Sequence, residues 1–460
     1  MKFRRKSLTK STYPDNVKLL RPLYLNSRLF IAISLIIACF ILSFIFGEWL
    51  TIVSKGLFFL LIGVILTDAI LLFRIKKGLT GERTMPEKLS NGDDNEISIK
   101  LQNLYPFKTD VMVIDEIPHQ FQRRDLSFKA SIHPRESKVI RYHLRPVKRG
   151  EYSFGAVNIF ARSPLGLLSR RFRFSADALV PVYPSYLQMR KYELMAISNR
   201  LTEAGIKLIR RIGHNREFEL IKEYVSGDDF RTVNWRATAR RNSLMVNHYQ
   251  DERSQQVYSL IDKGRVMQMP FNGLSLLDYA INASLVISNI AIKKSDKAGL
   301  ITFQDRIGST VPASKQNRQM FQIMETLFNQ KTAYRESDFS ALYTHIRRKI
   351  TQRSLLLLFT NFESIYGLQR QLPFLSRLSN QHLLVVIFFE NTEMQSLLNT
   401  PATGLKEVYH KAVAEKFSYD KKVIVKELRK YGIQALLSTP ENLTVNTINK
   451  YLELKARGMI

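Results

Sequence analysis

A chain of 460 residues, 45% hydrophobic and 11% aromatic, is too long for one ordinary core and too apolar for a disordered tail, so two or three folded units are expected. Its single cysteine, Cys39, excludes an internal disulfide and a cysteine-built zinc site. The net charge of +29 calls for anionic partners such as lipid headgroups, nucleic acid or acidic protein faces, while the lack of a Walker-type glycine loop, a Gly-x-Gly-x-x-Gly or a His-Glu-x-x-His stretch removes the usual support for nucleotide hydrolysis and zinc proteolysis.

Residues 1–28 are basic, with Lys2, Arg4, Arg5, Lys6, Lys10, Lys18, Arg21 and Arg28. Residues 29–46, LFIAISLIIACFILSFIF, then form an uncharged apolar run long enough to cross hydrocarbon as a helix. A second run, about residues 56–73, follows Gly47-Glu48-Trp49, so residues 29–73 read as a two-helix transmembrane hairpin. Arg74, Lys76 and Lys77 lie beyond its far end, and the connecting loop has only Glu48 and Lys55. That bias predicts both termini, and everything after Lys77, on the cytoplasmic side of a bacterial inner membrane. Ile36-Ile37-Ala38-Cys39 looks like a lipoprotein cleavage box, but the apolar run continues through Phe46, which favours the hairpin. Asp68, near the inner end of the second span, is expected to be solvated there.

Residues 80–182 change character, with short alternating runs such as ISIKLQNL, DVMVIDEI and SKVIRYHL separated by Pro and Gly. This predicts a small antiparallel β-sandwich with no reactive cluster, a spacer or docking platform. Turns are expected at residues 144–152 and at Ser163-Pro164-Leu165-Gly166-Leu167.

Residues 183–255 read as a linker carrying a charged segment, EFELIKEYVSGDDFRTVNWRATARRNSLMVNHYQDE, at residues 217–252. Gly227-Asp228-Asp229 predicts a turn before a helix that holds Arg231, Arg236, Arg240 and Arg241 near Trp235. Such guanidinium groups can grip an acidic partner or a phosphate. They can equally pair with Glu223, Asp228, Asp229 and Glu252 and clamp the segment onto the next domain, which is the favoured expectation.

Glu219, Lys222-Glu223-Tyr224, Gly227-Asp228-Asp229, Arg231, Asn234-Trp235-Arg236-Ala237, Ala239-Arg240 and Leu244-Met245-Val246 resemble the signature of the bacterial domain of unknown function 58 family. The resemblance implies a membrane hairpin, a β-unit and a von Willebrand A-like domain, working as a partner of MoxR-type AAA+ ATPases in envelope assembly or stress responses.

Residues 256–460 alternate apolar strands (VYSLID, GLITF, SLLLLFTNF, HLLVVIFFE, IQALLS) with amphipathic helices, which predicts a doubly wound α/β domain. Ligands of such sheets sit beyond the carboxyl ends of strands, so Asp262, Thr360-Asn361 and the Ser337-Asp338 loop should converge. The von Willebrand A resemblance implies a metal site with an Asp-x-Ser-x-Ser motif, a Thr and an Asp. Here Asp262 is followed by Lys263, Gly264, Arg265 and Val266, and the later acid is Asn361. With two hydroxyl ligands and one acid lost, Mg²⁺ is not expected to bind and Asp262 should be a capping or ion-paired residue. No catalytic elbow or paired carboxylate motif is present, so no enzyme is predicted. The expected function is a membrane-anchored, non-catalytic protein-interaction adaptor. A basic surface that binds anionic lipid or nucleic acid is the alternative.

Overall fold

The computed structural model describes residues 23–123, 126–197, 216–226, 228, 230–251, 254–316, 318–332, 334–399, 401 and 404–459. They fall into two compact units. One comprises residues up to 89, 94–146 and 151–181, and the other 90–93, 147–150 and 182–460.

The first unit begins with a short strand, β1 (Leu23–Leu25), and two apolar helices, α1 (Ser27–Phe46) and α2 (Glu48–Phe73). At 1.5 Å per residue they measure about 30 and 39 Å, enough to cross a bilayer. Their large side chains face outward, with Phe44 95% and Phe59 70% exposed. Surface of that kind marks an interaction site, and two helices of this length and composition suggest membrane anchoring. The second helix starts eight residues ahead of the apolar run, because Gly47, at φ +97°, turns the chain within one residue.

Ten strands follow: β2 (Leu79–Thr84), β3 (Leu89–Ser90), β4 (Asn95–Asn103), β5 (Thr109–Asp115), β6 (Ser127–Ile132), β7 (Ser137–Leu144), β8 (Gly150–Phe154), β9 (Val157–Arg162), β10 (Leu168–Phe174) and β11 (Ala178–Tyr183). Two antiparallel sheets carry the unit, in the orders β1-β10-β9-β5-β6 and β2-β4-β7. Their strands bury alternate residues, as Ile97, Ile99 and Leu101 of β4 show. Buried Arg83 pairs with Asp115 at 2.5 Å, and Tyr142 donates to the same carboxylate.

The β-domain also finishes the anchor. The last carbonyls of a helix lack intrahelical donors. Arg170 on β10 donates to Leu72 O and Ile75 O at 2.7 Å and to Lys76 O at 2.9 Å, and the Tyr105 hydroxyl reaches Leu72 O at 2.8 Å. Asp68 corrects the sequence expectation. It is fully buried rather than solvated, and its Oδ2 accepts the Leu168 amide at 2.8 Å. The predicted turn at residues 163–167 forms with Gly166 at φ +74°, and Asn26 binds it through Gly166 O and Leu167 O, both at 3.0 Å. Thus the chain before α1 and the end of α2 are both fastened to β10.

The second unit contains α3 (Tyr186–Ile197), β12 (Arg216–Glu223), α4 (Trp235–Arg241), β13 (Met245–Asp251), β14 (Gln256–Asp262), β15 (Pro270–Phe271), β16 (Leu274–Ser275) and α5 (Leu276–Lys293). It continues with β17 (Lys297–Phe303), β18 (Ile307–Ser314), α6 (Gln319–Phe328), α7 (Phe339–Lys349), β19 (Leu355–Phe359), α8 (Ile365–Gln381), β20 (Leu383–Phe389), α9 (Thr392–Asn399), α10 (Leu405–Lys430), β21 (Gln434–Ser438) and α11 (Leu443–Ala456). The six-stranded order is β18-β17-β14-β19-β20-β21, parallel except for β18. Leu355, Leu357 and Phe359 of β19 enter a core with α5 and α11, whereas Leu356 and Leu358 enter one with α7, α8 and α10. Both faces are covered, giving the doubly wound α/β fold that the continuous apolar strands imply. Helix α5 is long and apolar enough for a span, but it is buried in this core.

Arg170→Met removes three charge-assisted hydrogen bonds and the favourable cation at the end of α2. It is expected to cost about 2–3 kcal/mol, read as a lower unfolding midpoint of the full chain in nanodiscs and faster hydrogen exchange at Leu168.

Candidate functional site

Two places carry the residues that the sequence singles out. The first is the charged segment at residues 217–252, which folds as a hairpin rather than a linker. Strands β12 and β13 pair antiparallel, with a register shift at Glu219, and α4 is packed between them in sequence. Asn234 caps α4, accepting the Ala237 amide at 3.1 Å, and bonds Asn247 at 2.9 Å. Thr238 accepts the Met245 amide at 3.0 Å. Asp228 accepts Lys222 Nζ at 2.9 Å and the Val225 amide at 3.0 Å, and the Tyr224 ring meets Phe230 at 5.1 Å. Glu223 accepts from Ser243 at 3.4 Å.

Only part of the expected ion-pair clamp falls on described residues. Lys222 pairs with Asp228, and Arg236, Arg240 and Arg241 are exposed. A seven-residue helix points these long side chains away from the hairpin, with Trp235 69%, Phe230 62% and Val225 62% exposed. Gly227, Asp229 and Glu252 lie outside the described residues, as do the side chains of Glu219 and Arg231.

The second place is the carboxyl edge of the six-stranded sheet, where the convergence expected of Asp262, Ser337 and Thr360 is found. Asp262 is buried at the end of β14. Its Oδ1 accepts the Gly264 amide at 2.8 Å and the Ser337 hydroxyl, and its Oδ2 accepts Thr360 Oγ1 at 2.6 Å. Burial pushes the Asp262 carboxyl above its ordinary range against the pull of these three donors. Asp262 is therefore a hydrogen-bonded cap of its own loop and has no ion-pair partner among the described residues. A side chain at position 264 would start 2.1 Å from Ser337 Oγ, so glycine is needed where the metal motif has serine. Val266 lines the same cleft.

Asn361 turns the other way. Its Oδ1 accepts Lys421 Nζ at 2.6 Å, and the same ammonium donates to Phe362 O at 2.6 Å. This donor set does not fit a divalent cation. The hydroxyls spend their protons on Asp262, the acid's oxygens are committed, and Asn361 already serves a cation. Among the described residues no group of three or more His, Cys, Asp or Glu is placed to hold a metal.

Lys421 was not singled out by sequence reasoning. Its signal was positional, since it falls on the inward stripe of α10 with Ala414, Ile424 and Leu428. Burial pushes its amine down to about 8, only partly opposed by the charge of Glu363.

With this geometry in hand, comparison with known proteins places the segment. Residues 221–428 match the family model described as "Protein of unknown function DUF58". The chain carries a DUF58 region. It is 27% identical over 220 residues to uncharacterized protein YeaD of Bacillus subtilis (strain 168), covering 46% of this chain and 54% of YeaD. The chain thus spans about half the length of that relative. Among solved structures, the conserved hypothetical protein BatB from Bacteroides thetaiotaomicron aligns at 12% identity and TM-score 0.31, over 44% of this chain and all of BatB. The CARDB domain of PF1109 from Pyrococcus furiosus aligns at 19% identity and TM-score 0.15, over 21% of this chain and 93% of that one. The DUF58 region therefore takes in the outward-facing α4, the Asp262 loop and Lys421.

Lys421 should leave a signature in stability against pH. Below about pH 8 both folded and unfolded chains carry its proton, and the folded chain bears the cost of burying the ammonium. Between about 8 and the ordinary value of 10.5 the folded amine is neutral while the unfolded one is charged, so stability rises with pH and then levels off. Relative to Lys421→Met, the wild-type chain should gain roughly 2 kcal/mol across that window, after allowance for residual solvent contact, measured by urea unfolding at stepped pH.

Proposed function

We propose that the protein is a membrane-anchored, non-catalytic adaptor whose exposed DUF58 surface docks a partner protein, a MoxR-type AAA+ ATPase, in envelope assembly or stress response. The observation that carries this reading is the outward face of α4, where Trp235 stands with Arg236, Arg240 and Arg241 in solvent. Exposed Trp and Arg dominate binding energy in protein interfaces, because a ring and a planar guanidinium bury much area at little entropic cost. Their neighbours Asn234, Asp228 and Thr238 are spent on holding the hairpin, so the segment divides into scaffold and contact surface. Basic residues on both flanks of the anchor support a cytoplasmic location for the soluble part.

The adaptor works without metal and without turnover. Asp262, the acid at the sheet edge, accepts protein donors on both oxygens, which supports a loop-holding role for it in this reading. The acidic face expected on the partner would complement the arginines and set the on-rate more than the affinity.

Arg236→Glu/Arg240→Glu reverses charge at exposed positions, where substitution costs the fold little. In a cross-linking pull-down from native membranes, the intact protein should recover an AAA+ ATPase and the variant about tenfold less. Equal recovery would assign the contact to another surface. No ATPase with either would sink the adaptor reading, and salt-sensitive capture of lipid or nucleic acid would replace it.

A further inference from the structure

We infer that a cavity beyond the carboxyl ends of β19, β20 and β21 is a binding site for a small amphipathic carboxylate, with its anionic head on Lys421 and its apolar body among Phe271, Phe389 and Phe417. The cavity has a volume of about 250 Å³. Clefts for drug-sized ligands run to roughly 300–1,000 Å³, so this one suits a smaller molecule. Its position follows from topology, because the parallel strands end there and their connecting loops diverge to leave a crevice. The floor is built by Leu276 and Phe389, both nearly fully buried, and Met394 of α9 closes one side.

Within this apolar lining Lys421 is an under-compensated cation. Two of its three protons go to neutral oxygens, Asn361 Oδ1 and Phe362 O, and its ammonium lies 5.6 Å from the centroid of Phe388. The rim acids Glu390 and Glu393 are engaged in interactions of their own. Glu363 acts on Lys421 through charge without offsetting its burial. Lys421 is fixed on a 26-residue helix, so its third proton is aimed without further loss of entropy. A carboxylate there would gain a charge-assisted hydrogen bond in a site of low dielectric, and its hydrocarbon part would displace water from the phenylalanine walls. This site shares no residue with the α4 surface, so the inference stands independently of the adaptor reading.

The test uses the full chain in phosphatidylcholine nanodiscs, titrated calorimetrically with 3-phenylpropionate and with its neutral amide, empty nanodiscs serving as reference. Saturable binding of the carboxylate is expected, at least about tenfold tighter than the amide. Lys421→Met should remove that preference. Met394→Trp, which fills the cavity and leaves Lys421 in place, should abolish saturable binding of both probes. Absence of saturable binding up to about 10 mM, equal affinity for carboxylate and amide, or affinity unchanged in Lys421→Met would each overturn the inference.

Discussion

The carbonyls at the end of a helix and in the turn after it must find donors, and here Arg170 supplies them from a β-strand, to Leu72 O of α2 and to Ile75 O and Lys76 O just beyond it. The rest of the first unit follows from that constraint. Once Arg170 and Tyr105 hold Leu72 O, and Asp68 accepts the Leu168 amide, the β-domain is tied to α2 at three points, two of them on β10. The chain leading into α1 then joins the same strand as β1. Anchor and β-domain consequently form one compact unit. An acid in an apolar helix next to basic flanks suggests a proton path or a snorkelling group, but Asp68 Oδ2 accepts the Leu168 amide, which makes it a fastening.

The architecture was largely legible in the sequence because its signals are periodic. Two long apolar runs gave the hairpin, alternation gave the antiparallel strands, and continuous apolar strands gave the doubly wound sheet. Other features were hidden for identifiable reasons. Strand β18, IGSTVPAS, is an antiparallel edge strand with little apolar character, so it carries no buried-strand pattern. The β12–β13 hairpin was masked by its charge, since RTVNWRATARR looks like one amphipathic helix, while the α-helix covers only Trp235–Arg241, after a separate 3₁₀ turn at Phe230–Thr232. Partners as distant as Asp68 and Leu168, or Asn361 and Lys421, are set by tertiary placement that no spacing rule reports.

At the sheet edge, the convergence of Asp262, Ser337 and Thr360 was legible from topology, and the loss of the metal motif from composition. What holds the three loops together was not. The three loops remain joined because two hydroxyls and an amide satisfy Asp262 directly. That closure depends on Gly264, since any side chain there would displace Ser337. A serine restored at 264 would not rebuild a cation site, because it would collide with the hydroxyl that now caps the acid. Electrostatic compensation has moved to Lys421, one strand-end away, where an ammonium serves Asn361 and Phe362. A tethered cation of this kind satisfies loop carbonyls as a metal would, but its charge is fixed to one helix and falls with deprotonation near pH 8.

The net charge of +29 has to be divided before it implies a partner. Arg83 is buried on Asp115, Arg149 is buried on Asp278 with Leu327 O and Gln330 O, and Arg170 caps a helix. These cations are structural and present no field to a long anionic polymer. The exposed arginines of α4 stand beside Trp235 on a short helix. One ring and three guanidinium groups on two turns of helix make a compact patch, suited to forked hydrogen bonds and stacking over a small area, and that grouping says more about this surface than the total charge does.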